Sequence, residues 1–446
     1  MKCIRYSQVC DLVDDCGDGS DEIGCTNHFK CNSSGRLISK TRKCDGQFDC
    51  LDMSDECNQQ CSKEILDSIG LKVTSFTIGG LAVLANLVVM TKNILTLKRC
   101  TSSVAFVNKS LIILVSLWDF LMGCYLLLIA IHDIYYQQGY CHDQIEWLTS
   151  FKCSAIGVIS TLGSQVSLFA MTGLSLVRLI GIRGSMKVPH GVDLVKSLKV
   201  MSGIFLILLT SITIAISPVV NAFEDLFVNG VKFSDDLGIF AGTLDKQKIL
   251  AILEAYYGRT KETTLSWEMI LKMVKSMFSH DVGYMDHTKT VKKLEFYGND
   301  GVCLFKYFVN IDDPQKEFVW VILTVNFLCF LFISISYILI GAVSRASSKK
   351  LSNSQNKSQI NKRNSKMNRK IAIIITTDFC CWVPFIVMCI LHFGAFFDAT
   401  PWYSLISMII LPINSLINPL GLYDDVITNI LRVPANFITS IFQSSV

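Results

Sequence analysis

The sequence predicts an all-α membrane protein: a seven-transmembrane helix bundle preceded by small disulfide-rich modules. Three features carry that expectation. Of 446 residues, 51% are hydrophobic and only 17% charged, a balance too apolar for a chain with an ordinary aqueous surface. Seven stretches are each long enough to cross about 30 Å of hydrocarbon, which takes roughly 20 helical residues. Nine of the 18 cysteines fall within residues 1–61, among Asp, Gly and Ser, the usage of an oxidised extracellular scaffold. The formal net charge of +4 is small, so the position of the charges matters more than their sum. No nucleic-acid partner is expected.

The apolar stretches run over about 72–97, 104–131, 151–182, 198–221, 316–343, 369–396 and 400–423. Each must be a helix, because lipid cannot satisfy an open backbone. Residues 343–370 hold Arg345, Lys349, Lys350, Lys357, Lys362, Arg363, Lys366, Arg369 and Lys370 with no acid, and Lys98 and Arg99 mark another basic loop. Such loops stay in the cytoplasm. An odd number of spans then places the N-terminus outside the plasma membrane, where disulfides survive. The chain opens Met1-Lys2-Cys3 with no apolar segment ahead of it, so either the first helix is the entry signal or the true beginning is missing.

Between Cys10 and Glu22, and again between Cys44 and Glu56, the same spacing of acids recurs. Four carboxylates within a dozen residues repel one another unless a hard cation lies between them, and oxygen-only ligation at that density suits calcium. The core C-D-x-x-x-D-C-x-D-x-S-D-E resembles the low-density-lipoprotein-receptor class A module. The resemblance implies one calcium held by Asp11, Asp15, Asp21 and Glu22 and another held by Asp45, Asp49, Asp55 and Glu56. Residues 1–25 are then a partial module, lacking its first two cysteines, and 26–61 a second one. The family pairs its six cysteines first to third, second to fifth and fourth to sixth. By that scheme Cys10 and Cys25 are bridged members of the first module, while the second keeps Cys31–Cys50 and Cys44–Cys57, or Cys44–Cys61, and has lost one pair. Asn32-Ser33-Ser34 is a glycosylation sequon in this outer region.

Polar residues inside a span are expensive and mark function by default. Asn86, Asp119, Ser167, Asn414, Ser415 and Asn418 form such a set. They resemble the buried sodium and water network of rhodopsin-like (class A) G-protein-coupled receptors, in which the acid on the second helix is the central ligand; here that is Asp119, with Ser167 and Asn414. Helix-bridging hydrogen bonds without an ion are the alternative. Cys153 and Cys303 match the family bridge from the third helix to the following outer loop. Arg178 lies 25 residues past Cys153 and matches the arginine of the transducer interface, with Val177 where an acid is usual. That departure predicts raised basal activity. Cys381-Trp382-Val383-Pro384 resembles the kinked C-W-x-P motif, Tyr337 the tyrosine that meets the arginine on activation, and Asn418-Pro419 the end of the seventh helix.

The phrases Asp119-Phe120-Leu121-Met122-Gly123-Cys124, Thr377-Asp378-Phe379-Cys380-Cys381-Trp382 and Tyr297-Gly298-Asn299-Asp300-Gly301-Val302-Cys303 resemble the leucine-rich-repeat/relaxin-receptor branch, and Asp378 is the most pointed of these residues. The repeats themselves are absent. The resemblance implies a cell-surface receptor in membrane lipid that passes an extracellular peptide or protein signal to heterotrimeric G proteins. An endocytic or scavenging binder using its class A modules is the alternative. No nucleophile–base pair, phosphate loop or HExxH motif points to an enzyme.

Two segments depart from the family pattern. The outer loop at 222–315 is long, and its apolar spacing at Leu250, Ile252, Leu253, Tyr256 and Tyr257, then at Leu265, Trp267, Ile270, Leu271, Val274 and Met277, predicts two short amphipathic helices. They form either a lid or an insert. The tail at 424–446 has a single base, Arg432, with Pro434 beyond it, so a membrane-docked eighth helix is not expected.

Overall fold

The computed structural model describes residues 28–32, 37–44, 54–55, 57, 64–66, 68–99, 103–136, 140–183, 194–228, 230–234, 242–244, 249, 267, 269–273, 290–350, 377 and 379–422. The chain divides into two compact units: Met1–Asp67, His132–Ser154 and Pro218–Cys303 in one, and Ser68–Ile131, Ala155–Ser217 and Leu304–Val446 in the other.

The second unit holds the membrane helices. Among the described residues six helical segments are long and apolar enough to cross a bilayer, and the shorter apolar helix Phe379–Phe393 occupies the sixth predicted span. The principal helices are α1 (Ile69–Leu97), α2 (Ser103–Tyr136), α3 (Tyr140–Leu148, short and outside the bilayer spans), α4 (Phe151–Arg183), α5 (Leu194–Ile216), α6 (Lys316–Lys350), α7 (Phe379–Phe393) and α8 (Ile413–Leu422). Ser68 starts α1 as its N-cap, its Oγ accepting from the Leu71 N–H at 3.1 Å.

Apolar packing and small residues hold these helices together. Val89, Leu111, Val115, Val166, Leu174, Tyr337 and Ile340 share one buried cluster. The helices α1 and α2 approach closely: a Cβ on Gly123 would stand 3.0 Å from the Gly79 carbonyl oxygen and 3.0 Å from the Val83 backbone nitrogen. Small residues permit that approach where lipid offers no hydrophobic drive between helices. The seventh span, Thr400–Pro419, is irregular. It opens with a 3-10 turn, passes through a π-helical stretch at Ile406–Ile410 in which the Leu411 N–H reaches the Ile406 carbonyl at 3.0 Å, and continues as α8. Such π segments concentrate at functional sites.

The first unit is small and bridged. Strands β1 (His28–Lys30) and β2 (Leu37–Ser39) pair antiparallel with Phe29 opposite Ile38. Around them Cys31 and Ile38 are buried, with Phe29 packed on both. In the long loop, β3 (Gly230–Ser234), β4 (Gly242–Leu244) and β5 (Thr290–Leu294) form an antiparallel sheet in the order β4-β3-β5. The apolar spacing predicts two helices in this loop and no sheet; β-branched Val231, Thr243, Thr290 and Val291 suit the strands. Residues 269–273 are helical, with Trp267 and Ile270 buried. The first expected loop helix, together with Leu265, Val274 and Met277, lies outside the described residues.

One disulfide differs from expectation. Cys57 is bonded to Cys141 of α3, with Cα atoms 5.5 Å apart, and so is not the partner of Cys44. The physical reason is proximity of the backbone: that separation falls inside the range a disulfide can bridge. Cys31 and Cys44 are both disulfide-bonded, with partners outside the described residues. Cys153 and Cys303 are bonded to each other.

Candidate functional site

Asp119 lies in the middle of α2 and is buried. A carboxylate there needs compensating donors. Its Oδ1 accepts from the Ser415 hydroxyl at 3.2 Å and its Oδ2 from the Asn418 amide at 3.0 Å. Ser167 of α4 lines the pocket beside it. On α1 the Asn86 amide donates to the Ser415 carbonyl at 2.8 Å and to the Ala82 carbonyl at 2.9 Å. Three helices, α1, α2 and α8, are thereby joined through one carboxylate and one amide.

Beside the carboxylate is a cavity of about 50 Å³, lined by Asp119, Ser164, Ser167, Trp382, Asn414, Ser415 and Asn418 together with apolar side chains. Its polar lining and size admit ordered water or a small cation. Asn414 does not bond Asp119 directly; its Oδ1 accepts from the Cys381 thiol at 3.6 Å, tying α8 to α7. Trp382 is buried and meets Phe385 edge-on, with ring centroids 6.0 Å apart. Pro384 falls within α7 and Pro419 within α8.

Toward the other end of the bundle, Arg178 donates through Nη1 to the Tyr337 hydroxyl at 3.3 Å, and its guanidinium carbon lies 5.9 Å from the centre of that ring. Tyr337 is fully buried, and Val177 packs on the same apolar cluster. Asp378 lies outside the described residues, as do residues 351–370 of the basic loop and the tail at 424–446.

A further group was not anticipated. Leu304, Phe305, Lys306, Tyr307, Phe308 and Val309, which follow Cys303, are all buried. The Tyr307 ring meets Phe385 edge-on at 4.9 Å, and Phe308 meets Tyr403 edge-on at 5.1 Å. The Tyr403 hydroxyl donates to the Phe305 carbonyl at 2.8 Å and accepts the Tyr307 N–H at 3.0 Å. Lys306 pairs with Asp313 at 3.3 Å; burial pulls its ammonium below the ordinary lysine range, and Asp313 offsets part of that shift. The only sequence cue is the apolar run itself, directly after the bridging cysteine.

In the class A region the described residues include one expected calcium ligand, Asp55. It is fully buried, and its carbonyl accepts the Cys44 N–H at 3.2 Å. A carboxylate enclosed in so small a module is the chemistry a calcium ligand requires. Next to it, Ser54 Oγ accepts the Asn32 N–H at 3.2 Å, and Asn32 is exposed. The ligands Asp11, Asp15, Asp21, Glu22, Asp45, Asp49 and Glu56, and the cysteines Cys10, Cys25, Cys50 and Cys61, lie outside the described residues.

Comparison with known proteins agrees with this architecture. Residues 271–423 match the 7 transmembrane receptor (rhodopsin family) model, and residues 24–61 match the low-density lipoprotein receptor domain class A. A G-protein coupled receptor, GRL101, of Lymnaea stagnalis is 24% identical over 358 residues, 80% of this chain and 25% of that protein. The thyrotropin receptor of Sus scrofa is 29% identical over 162 residues, 36% of this chain and 20% of that receptor. The follicle-stimulating hormone receptor of Equus asinus is 30% identical over 131 residues, 29% and 18% of the two chains. The chain thus spans a quarter or less of the length of these relatives.

Proposed function

We propose that this chain, which belongs to the rhodopsin-like seven-transmembrane receptors and carries a low-density-lipoprotein-receptor class A module, passes an extracellular peptide or protein signal to heterotrimeric G proteins at the plasma membrane. The observation that carries the proposal is the polar junction at Asp119. Hydrogen bonds from Ser415 and Asn418 hold α8 to α2 beside a cavity that Trp382 of α7 also lines. A junction of that kind has alternative pairings, and a ligand favouring one of them shifts the population of the bundle. Arg178 and Tyr337, joined across α4 and α6 by their hydrogen bond, supply the transducer-facing end.

Two cations fit the residues present. Asp119, Ser167 and Asn414 offer oxygen atoms to a sodium ion in the cavity, which would neutralise the buried carboxylate and favour the conformation that encloses it. The acids of the class A modules, Asp55 among them, offer oxygen atoms to calcium, which would hold the modules in shape. Similarity to receptors named for protein hormones favours a protein ligand. The buried segment Leu304–Val309 favours it too, because this segment already packs against Phe385 and Tyr403 within the bundle unit.

Guanine-nucleotide exchange on membranes carrying the surface-expressed chain, tested with each G-protein class and with and without calcium, checks the proposal. Exchange above mock membranes with at least one class is expected. Exchange equal to mock with every class overturns it.

A further inference from the structure

The segment between the class A module and α1 is fastened at two points. Cys57 is bonded to Cys141 of α3. Nine residues further on, the Leu66 N–H donates to Asp133 Oδ1 in the last turns of α2 at 2.9 Å, with Ile65 3% and Leu66 0% exposed. The loop before Cys303 closes against the same place: a Cβ on Gly301 would stand 2.5 Å from the Tyr140 hydroxyl and 3.6 Å from Ile65 Cα. The Trp147 indole N–H donates to the Gly301 carbonyl at 2.8 Å. Strap, α3, the end of α2 and the loop ahead of Cys303 therefore form one packed junction.

An unfastened strap would behave otherwise. Eleven residues of flexible chain from Cys57 to Ser68 have an r.m.s. span of about 18 Å, enough to let a module swing freely. The bridge removes that freedom and keeps Leu66 at Asp133.

We propose that Cys57–Cys141 is a clamp: it fixes the class A module to α3, so that events in the module reach the end of α2 where Leu66 meets Asp133. Because α2 is one unbroken helix from Ser103 to Tyr136, a pull at Asp133 acts on the same rod that carries Asp119. This last consequence rests on the signalling proposal; the clamp itself does not.

The test uses the full chain in membranes. Peptide mapping without reduction is expected to recover a Cys57–Cys141 linked peptide from the unaltered protein; a peptide joining Cys57 to Cys44 or Cys61 instead overturns the clamp. In the double variant Cys57→Ser/Cys141→Ser, amide exchange at Leu66 is expected to accelerate about tenfold or more while exchange at Ile129, buried deeper in α2, stays the same. Equal exchange at Leu66 in both proteins overturns the proposal. Chelation of calcium is expected to change Leu66 exchange in the unaltered protein and not in the double variant; an equal response in the two overturns it. If neither protein stimulates G-protein nucleotide exchange, the signalling proposal fails while the peptide map and amide exchange still decide the clamp.

Discussion

Tyr403→Phe removes a single oxygen that bonds two backbone groups at once. The hydroxyl donates to the Phe305 carbonyl at 2.8 Å and accepts the Tyr307 N–H at 3.0 Å, and all three residues are buried. The same two groups also meet each other, the Tyr307 N–H donating to the Phe305 carbonyl at 2.9 Å, so neither loses its last partner and each hydrogen bond removed costs about 0.5–1.5 kcal/mol net. Two such bonds give about 1–3 kcal/mol, while the ring contact to Phe308 at 5.1 Å is retained. The loss falls on the segment Leu304–Val309 and frees Tyr307 from its place against Phe385. Thermal unfolding of the purified receptor, followed by thiol labelling of the buried Cys381 and Cys389, is expected to shift down by about 2 °C or more. A midpoint within about 1 °C of the parent would refute the view that this hydroxyl anchors the segment.

Val177→Glu places a carboxylate beside Arg178 and sets a competing partner against the Tyr337 hydroxyl. An ion pair there is worth about 0.4–1 kcal/mol, so basal nucleotide exchange is expected to fall about two- to five-fold; unchanged basal exchange counts against the role given to Arg178. Gly123→Val drives a branched side chain into a gap where even a Cβ would meet Gly79 and Val83 atoms at 3.0 Å. Surface expression should drop sharply, by overpacking worth about 1–3 kcal/mol, and normal surface levels would contradict the close α1–α2 approach. Lys306 has its pKa lowered chiefly by burial. Below its folded value both states carry the charge and the burial penalty is present in full; between that value and the ordinary lysine value of 10.5 the unfolded chain binds the extra proton, so stability rises with pH. Lys306→Met is expected to flatten that alkaline rise in melting temperature, and an identical pH slope would contradict it.

Hydropathy makes the helices legible because the bilayer allows little else: the described helices cover parts of all seven apolar stretches. Asp119, Asn86, Ser415 and Asn418 were legible for a related reason, since an apolar helix keeps a polar residue only where something answers it. Other features depend on neighbours distant in sequence. The Cys57–Cys141 bond joins positions 84 residues apart, while the module's own pattern offers nearer cysteines for Cys57. The run Leu304–Val309 has the apolar character of a core segment but the position of a loop, and only the partners Phe385, His392 and Tyr403 determine where it packs. The π-helical stretch at Ile406–Ile410 likewise has no pattern of its own.

The buried loop segment bears on how the ligand of the proposed function would act. Tyr307 touches Phe385, Phe385 touches Trp382, and Trp382 lines the cavity at Asp119. These contacts form one continuous path from the segment after Cys303 to the polar junction. A ligand shifts such a system only by binding one conformation better than the other. Because the chain's own aromatic side chains already pack along this path, a ligand does not need to insert between the helices. It needs only to favour one placement of the Leu304–Val309 segment, whose Phe305 carbonyl and Tyr307 N–H are held by the Tyr403 hydroxyl. On the proposed function, a protein ligand would act along this path by favouring one placement of Leu304–Val309, with no empty site needed between the helices.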